Sequence, residues 1–321
     1  MVIKIKNYLS LIKFSHTIFA MPFALIGFFL GIKIFNEYTG YFSGYLVWTT
    51  EPKSGWHTYY SDSYFDFPKS PNEILLRFFL VILCMIFARS AAMAFNRYLD
   101  RSFDERNPRT AIREIPKGIV SPNSALRFVI FNSLAFIICT FFLNTICFFL
   151  SPVALFVVLF YSYTKRFTSL CHLVLGIGLS LAPIGAYLAV TGRFSLLPLL
   201  FSFTVLFWVS GFDIIYALQD EEFDKANNLY SIPVVLGKAK ALKISELLHL
   251  FSGLCVIAAG YYAHFSWIYW TGVCFFILLL AYQHSLVKPN DLSKVNLAFF
   301  TTNGIASVIF CIFVLMDLFI K

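Results

Sequence analysis

The sequence predicts an all-α protein: a polytopic membrane bundle of nine transmembrane helices with a polar cap on the cytoplasmic side. Three observations predict it. Of the 321 residues, 59% are apolar and only 13% are charged, where a soluble domain carries about 25% charge. The apolar residues come in long runs rather than in alternating or amphipathic patterns, and hydrocarbon is the better solvent for runs of about 20 apolar residues. Basic residues then concentrate at every second join between the runs, which is the charge bias that orients membrane proteins. The whole chain, 1–321, reads as one domain.

The first run, 14–35, follows a basic stretch with Lys4, Lys6 and Lys13. It is too long for a signal-peptide core, so a retained anchor is expected. Segment 36–71 is polar and carries Trp48, Trp56, Tyr59, Tyr60 and Tyr64. Such aromatic residues favour the membrane interface, so an extended non-cytoplasmic loop is expected there. Runs 73–96, 122–143, 145–163, 171–191, 196–215, 243–262, 266–285 and 295–319 supply the other spans. Asn144 and Thr145 alone mark one join, and Thr191 to Ser195 mark another; links this short imply antiparallel neighbours.

Residues 97–121 carry Arg97, Arg101, Arg106, Arg109, Arg113 and Lys117. Later joins on the same side carry Lys165 and Arg166, then Lys225, Lys238, Lys240 and Lys243, then Lys288 and Lys294. The opposite joins hold chiefly Lys53, Lys69 and Arg193. The N-terminus and the basic joins are therefore expected in the cytoplasm, in a multi-pass protein of a bacterial inner membrane. A net charge of +8 is used first for topology and leaves room for an anionic ligand. Nothing points to nucleic acid or to an obligatory protein partner. The seven cysteines have no CxxC spacing and read as small apolar residues of the interior.

Two stretches carry chemistry. In Asn96-Arg-Tyr-Leu-Asp100-Arg-Ser-Phe-Asp104 the spacing of four puts three oxygen-bearing side chains on one helical face, about 6 Å apart per step. In the second, Asp220 and Asp224 are again four apart, while Asp213 and Tyr216 lie one to two turns deeper in the apolar run. Offsets of seven and eleven bring Asp213, Asp220 and Asp224 to a common face. Such oxygens are the hard ligands that Mg2+ takes, together with substrate phosphates and water. Ordinary juxtamembrane charges are the plain alternative, but two ladders of equal spacing on one side of the membrane argue against it. An acid as deep as Asp213 is costly without a compensating cation or partner.

Arg89 lies two turns deeper than Asn96, has no obvious acid in its own run, and suits recognition of an anionic group. Lys165, Arg166, Arg109 and Arg113 stand on the same membrane side. Together these groups suggest two Mg2+ ions, one per ladder, clamping a diphosphate and stabilising the charge on the leaving group. The apolar bundle would hold a long hydrocarbon tail. Metal, diphosphate and lipid tail converge on polyprenyl transfer. A transporter is the competing class, since intramembrane acids also line ion pathways; it expects the acids near the midplane rather than at one face. His16, His57, His172, His249, His264 and His284 are scattered without metal-ligand spacing, and Asp317 reads as an ordinary outer helix-end charge.

These stretches resemble the UbiA-type intramembrane aromatic prenyltransferases. The resemblance lies in Asn96, Asp100 and Asp104 followed by Asn107-Pro-Arg109-Thr110-Ala111, in Tyr163-Thr-Lys165-Arg166-Phe-Thr168, in Ala182-Pro183 to Ala186, and in Ser231-Ile-Pro233 to Gly237. The opening from Lys13 to Thr17 and from Pro22 to Gly27 is similar to the 4-hydroxybenzoate polyprenyltransferase branch. The resemblance implies a cap over a central cavity with a lateral opening to lipid. It implies Asn96, Asp100 and Asp104 as a first metal motif and Asp220 and Asp224 as a second. It puts Lys165 and Arg166 near the diphosphate and Arg89 in the aromatic pocket.

The implied reaction moves a polyprenyl chain from a polyprenyl diphosphate to a small phenolic aromatic acid, with Mg2+, in quinone biosynthesis. Asp213, with Tyr216 nearby, is expected to favour phenol deprotonation, and Arg89 to hold the acceptor carboxylate. Two departures bear on the acceptor. Arg97 stands where many hydroxybenzoate enzymes have Asp, and Arg109-Thr-Ala-Ile-Arg113-Glu114 stands where Arg-Thr-Ala-Asn-Arg-Pro is usual. Both are similar to a branch that prenylates a dihydroxynaphthoate for menaquinone.

Overall fold

Within hydrocarbon each run must satisfy its own backbone N–H and C=O groups, so each folds as a helix. The computed structural model describes residues 2–12, 19–39, 68 and 70–320. The helices are α1 Val2–Leu11, α2 Met21–Thr39, α3 Pro71–Leu99, α4 Arg101–Arg106, α5 Pro122–Leu143, α6 Thr145–Thr164, α7 Cys171–Thr191, α8 Leu196–Ala217, α9 Glu221–Ala226, α10 Ile232–Leu236, α11 Lys238–Tyr262, α12 Trp267–Leu286 and α13 Asn303–Ile320. A 3₁₀ turn, Leu218–Asp220, joins α8 to α9, and a π-helical stretch, Leu297–Thr302, runs into α13. Among the described residues there is no strand, only an isolated bridge between Lys288 and Asp291.

Local chemistry writes the boundaries. Ser70 and Ser121 cap α3 and α5, each followed by a proline in the first turn, where the missing N–H is not needed. Asn144 turns α5 into α6 within one residue: its Oδ1 accepts from Cys147 N at 2.9 Å and its Nδ2 donates to Leu188 O at 2.7 Å. Gly192, at φ 65°, ends α7 in the left-handed conformation that glycine adopts without a steric penalty. The carbonyls near that end are met by Arg77 of α3, whose Nη1 donates to Ala189 O at 3.0 Å.

Helix α7 packs between α2 and α8, α8 packs on α11, α3 on α5, and α12 on α13. The centre is aromatic: Phe23 and Trp208 are 5.4 Å apart and Phe276 and Phe310 5.2 Å, in tilted arrangements that suit ring quadrupoles. Trp208 Nε1 also donates to Asn303 Oδ1 at 2.9 Å, tying α8 to α13. At Gly27 a Cβ would stand 2.0 Å from Pro183 O; only glycine lets α2 lie this close to α7. Outward, Phe131, Phe141, Phe149 and Phe156 are exposed, as a lipid-facing surface requires.

Among the described residues eight helices are long and apolar enough to cross a bilayer, against nine expected for the whole chain. The first expected run, 14–35, corresponds to α2, whose apolar part is the shorter Met21–Phe35; residues 13–18 lie outside the described set. The loop expected over 36–71 also lies almost wholly outside it, although α2 continues to Thr39 and Pro71 already opens α3. Two expectations are corrected. Asp317 is not an ordinary end charge: it is fully buried and accepts from Ser266 N at 3.0 Å and Tyr269 N at 3.2 Å, capping α12 from α13. Of the cysteines, Cys274 is exposed and Cys255 partly so, while the other five are buried; all seven are free thiols.

Candidate active site

The first acid ladder is not one continuous helix. Helix α3 ends at Leu99, Asp100 forms the joint, and α4 begins at Arg101. The four-residue spacing survives the break because Asp100 N donates to Asn96 O at 2.9 Å and Asp104 N to Asp100 O at 2.8 Å. The second ladder breaks likewise: Asp213 lies in α8, Asp220 in the 3₁₀ turn and Asp224 in α9. A single helical stripe from Asp213 to Asp224 is therefore replaced by the end of a long helix, a 3₁₀ turn and a short helix that together line one cavity.

That cavity has a volume of about 600 Å³ and takes in every residue singled out from the sequence: Asn96, Asp100, Asp104, Asp220 and Asp224, the basic Arg89, Arg109, Arg113, Lys165 and Arg166, and Asp213 with Tyr216. Each ladder acid has its own cation. Arg166 Nη2 donates to Asp100 Oδ1 at 2.7 Å, and Arg113 Nη1 donates to Asp104 Oδ1. Arg109 grips Asp220 with Nε, at 3.0 Å, and with Nη2, and also donates to Tyr216 Oη at 2.8 Å. Lys165 Nζ stands 2.7 Å from Asp224. The adjacent Lys165 and Arg166 thus reach opposite ladders, as do Arg109 and Arg113, so the basic joins stitch the two acid stretches into one site.

Electrostatics follow from this enclosure. Burial pushes the Asp100 carboxyl above the usual carboxylate range, with Arg166 opposing the shift. Burial pulls Lys165 down, but the Asp224 carboxylate beside it outweighs burial and raises it.

Deeper in the cavity, Asp213 Oδ2 stands 2.7 Å from His172 Nδ1. Ile232 N donates to His172 Nε2 at 3.4 Å, so Nε2 is the acceptor and Nδ1–H is the donor to Asp213. His172, one of the histidines without metal-ligand spacing, is buried. No spacing signal exists for a partner 41 residues away; the only cue is that His172 opens α7 on the side of the basic joins. Arg89 also faces this region, with its Nε buried and without a hydrogen-bond partner. Beyond it the cavity becomes apolar and continues past Cys84, Phe136 and Leu143 to Leu150 and Phe194. From Lys165 to Leu150 along α6 is about 22 Å of helix rise.

Among the described residues, no three His, Cys, Asp or Glu side chains approach closely enough to form a metal site by themselves. Mg2+ asks for less, since it takes one or two carboxylates with phosphate oxygens and water. The donors at the mouth are all oxygen, and Asp104 Oδ2 is buried without a hydrogen-bond donor. The residues present fit such an ion, with Asn96, Asp100 and Asp104 on one side and Asp220 and Asp224 on the other. Cations displaced from those acids would remain at hand for an anionic ligand.

Acids and cations facing one another beside an apolar cavity, inside a helical bundle, are the features of a membrane enzyme. Sequence comparison narrows the class: residues 66–305 match the model of the UbiA prenyltransferase family. The chain belongs to that family and is a prenyltransferase. It is 29% identical over 239 residues to a 4-hydroxybenzoate octaprenyltransferase of Francisella tularensis subsp. mediasiatica, covering 74% of this chain and 84% of that one. It is 31% identical over 220 residues to the protein of the same name in Alcanivorax borkumensis, covering 68% of this chain and 74% of that one. Among solved structures, a UbiA homolog from Aeropyrum pernix K1 superposes with a TM-score of 0.75 at 27% identity, covering 94% of this chain and 98% of the other. A UbiA homolog from Archaeoglobus fulgidus bound to GPP and Mg2+ shares the fold, with a TM-score of 0.66 at 18% identity and coverage of 97% and 99%.

Proposed function

We propose that the protein joins a polyprenyl chain, delivered as its diphosphate, to the ring carbon ortho to the hydroxyl of a phenolic aromatic acid, 4-hydroxybenzoate, in quinone biosynthesis. The observation that carries this reading is the meeting of two acid ladders and their cations at one mouth of a long apolar channel. The tail would lie in the channel toward Leu150 and the diphosphate would sit between the ladders. Mg2+, when bound, supplies charge that favours departure of diphosphate. Arg109, Arg113, Lys165 and Arg166 exchange their carboxylate partners for phosphate oxygens and hold the leaving group.

The allylic C–O bond breaks with its electron pair leaving on diphosphate, a ring C–C bond forms, the ring proton passes to the departed diphosphate, and the phenolic proton held by Asp213 returns to the ring oxygen. Asp213, oriented by its 2.7 Å hydrogen bond from His172 Nδ1–H, takes the phenolic proton and so raises electron density at the ortho carbon. Arg89, without an ion-pair partner among the described residues, holds the acceptor carboxylate. The apolar walls exclude water, which would otherwise capture the allylic cation. The relatives' printed names support 4-hydroxybenzoate. The sequence at Arg97 and at Ile112-Arg113-Glu114 favours a second reading, a dihydroxynaphthoate acceptor. The excess of Lys and Arg in the basic joins supports a site on the cytoplasmic face of the inner membrane.

The test is direct. Membranes carrying the protein, supplied with a polyprenyl diphosphate and each acceptor in turn, should yield a prenylated acid of the summed mass only with a divalent cation. Asp100→Ala and Asp220→Ala should each abolish product while the protein stays folded in the membrane. Full activity in both variants would end the two-ladder reading, and substrate flux across sealed vesicles without covalent product would favour a transporter.

A further inference from the structure

We infer that Arg97 is a donor-binding residue of this chain, a guanidinium that the acid ladders hold only at long range and that can take the diphosphate. The inference rests on the prenyl-transfer reading and adds a ligand to it. Each of the four ladder acids has a close cation: Asp100 has Arg166, Asp104 has Arg113, Asp220 has Arg109 and Asp224 has Lys165. Arg97 is left over. It projects from the last turn of α3, is only 7% exposed and lines the cavity beside the ladders. Its Nε is buried and has no hydrogen-bond partner.

The nearest carboxylate is Asp104, whose Oδ2 lies 4.0 Å from Arg97 Nη1, beyond hydrogen-bond reach. Glu114, the other nearby acid, receives the hydroxyl of Ser10. A buried cation held to its acid only at 4.0 Å, without a hydrogen bond to it, is poorly compensated, and this one lines the cavity that the ladders share. A guanidinium matches two phosphate oxygens at once and keeps its charge at any physiological pH. Arg97 therefore contributes fixed positive charge at a position where Arg166 and Arg113 first have to release their own acids.

The experiment measures binding of inorganic diphosphate with Mg2+ to the purified full-length protein by titration calorimetry, alongside steady-state kinetics. Arg97→Gln should weaken diphosphate binding by roughly 10- to 100-fold, as expected for loss of charge-assisted hydrogen bonds. The KM for the prenyl diphosphate should rise in parallel while the KM for the acceptor stays unchanged, a split that a merely structural arginine would not produce. If Arg97→Gln does not fold, Arg97→Lys carries the test: it keeps the charge but not the fork, and a loss of about 10-fold is expected. Wild-type diphosphate affinity in the folded variant overturns the inference and leaves prenyl transfer standing. Failure of the wild-type protein itself to bind diphosphate overturns both.

Discussion

Replacing Asp213 by asparagine separates proton transfer from donor binding. The substitution keeps the size of the side chain and an oxygen to accept His172 Nδ1–H, which stands 2.7 Å from the present carboxylate, but it removes the base. A positioned general base contributes about 10²- to 10⁴-fold, so kcat should fall by that factor, about 3–5 kcal/mol of barrier. Asp213 pairs with His172 rather than with any cation of the ladders, so the KM for the prenyl diphosphate and the Mg2+ requirement should hold within about 2-fold. The deficit should also shrink with rising pH. A phenol titrates near pH 10, so its ionised fraction rises about 100-fold between pH 7 and 9 without help from the enzyme. Initial rates of lipid product at saturating donor, measured across that range, give the answer. A raised Mg2+ requirement with unchanged kcat would refute the assignment and make Asp213 a metal ligand.

Acidification should raise the Mg2+ concentration needed for half-maximal activity. Burial lifts the Asp100 carboxyl above its ordinary value, so the ionised form that would hold a cation is present above that raised value and is lost as pH falls through it. Metal titrations of the rate at pH 7.5 and 5.5 with equal half-saturation would refute this. Asp317→Ala should lower thermal stability by about 1–3 kcal/mol, because it leaves the N–H groups of half-buried Ser266 and buried Tyr269 without their acceptor. Kinetic constants of the surviving folded protein should be unchanged, and an unaltered melting midpoint in detergent would show that the cap carries no stability.

Helices and ladders were legible in the sequence because both depend on neighbours along the chain. An apolar run must hydrogen-bond to itself in lipid, and residues four apart meet on a helix wherever the helix lies. Even the joint at Asp100 preserves this, since the backbone bonds from Asn96 to Asp100 and on to Asp104 persist through it. The basic joins were equally legible as composition, although their partners were not. Asp100 and Arg166 are 66 residues apart, His172 and Asp213 are 41, and Ser266 and Asp317 are 51.

The sequence alone determined an all-helical membrane protein with two oxygen ladders, and a resemblance specific enough to foresee the family. Tertiary structure decided that the ladders meet at one mouth, that His172 fixes the acceptor role of Asp213, that Asp317 is a buried cap, and that Arg97 has no hydrogen-bonded acid. The reason is that spacing along a helix is set by covalent geometry, whereas pairing between helices is set by how closely they pack. In this fold that approach rests on contacts such as the one Gly27 makes with Pro183, which no local pattern encodes.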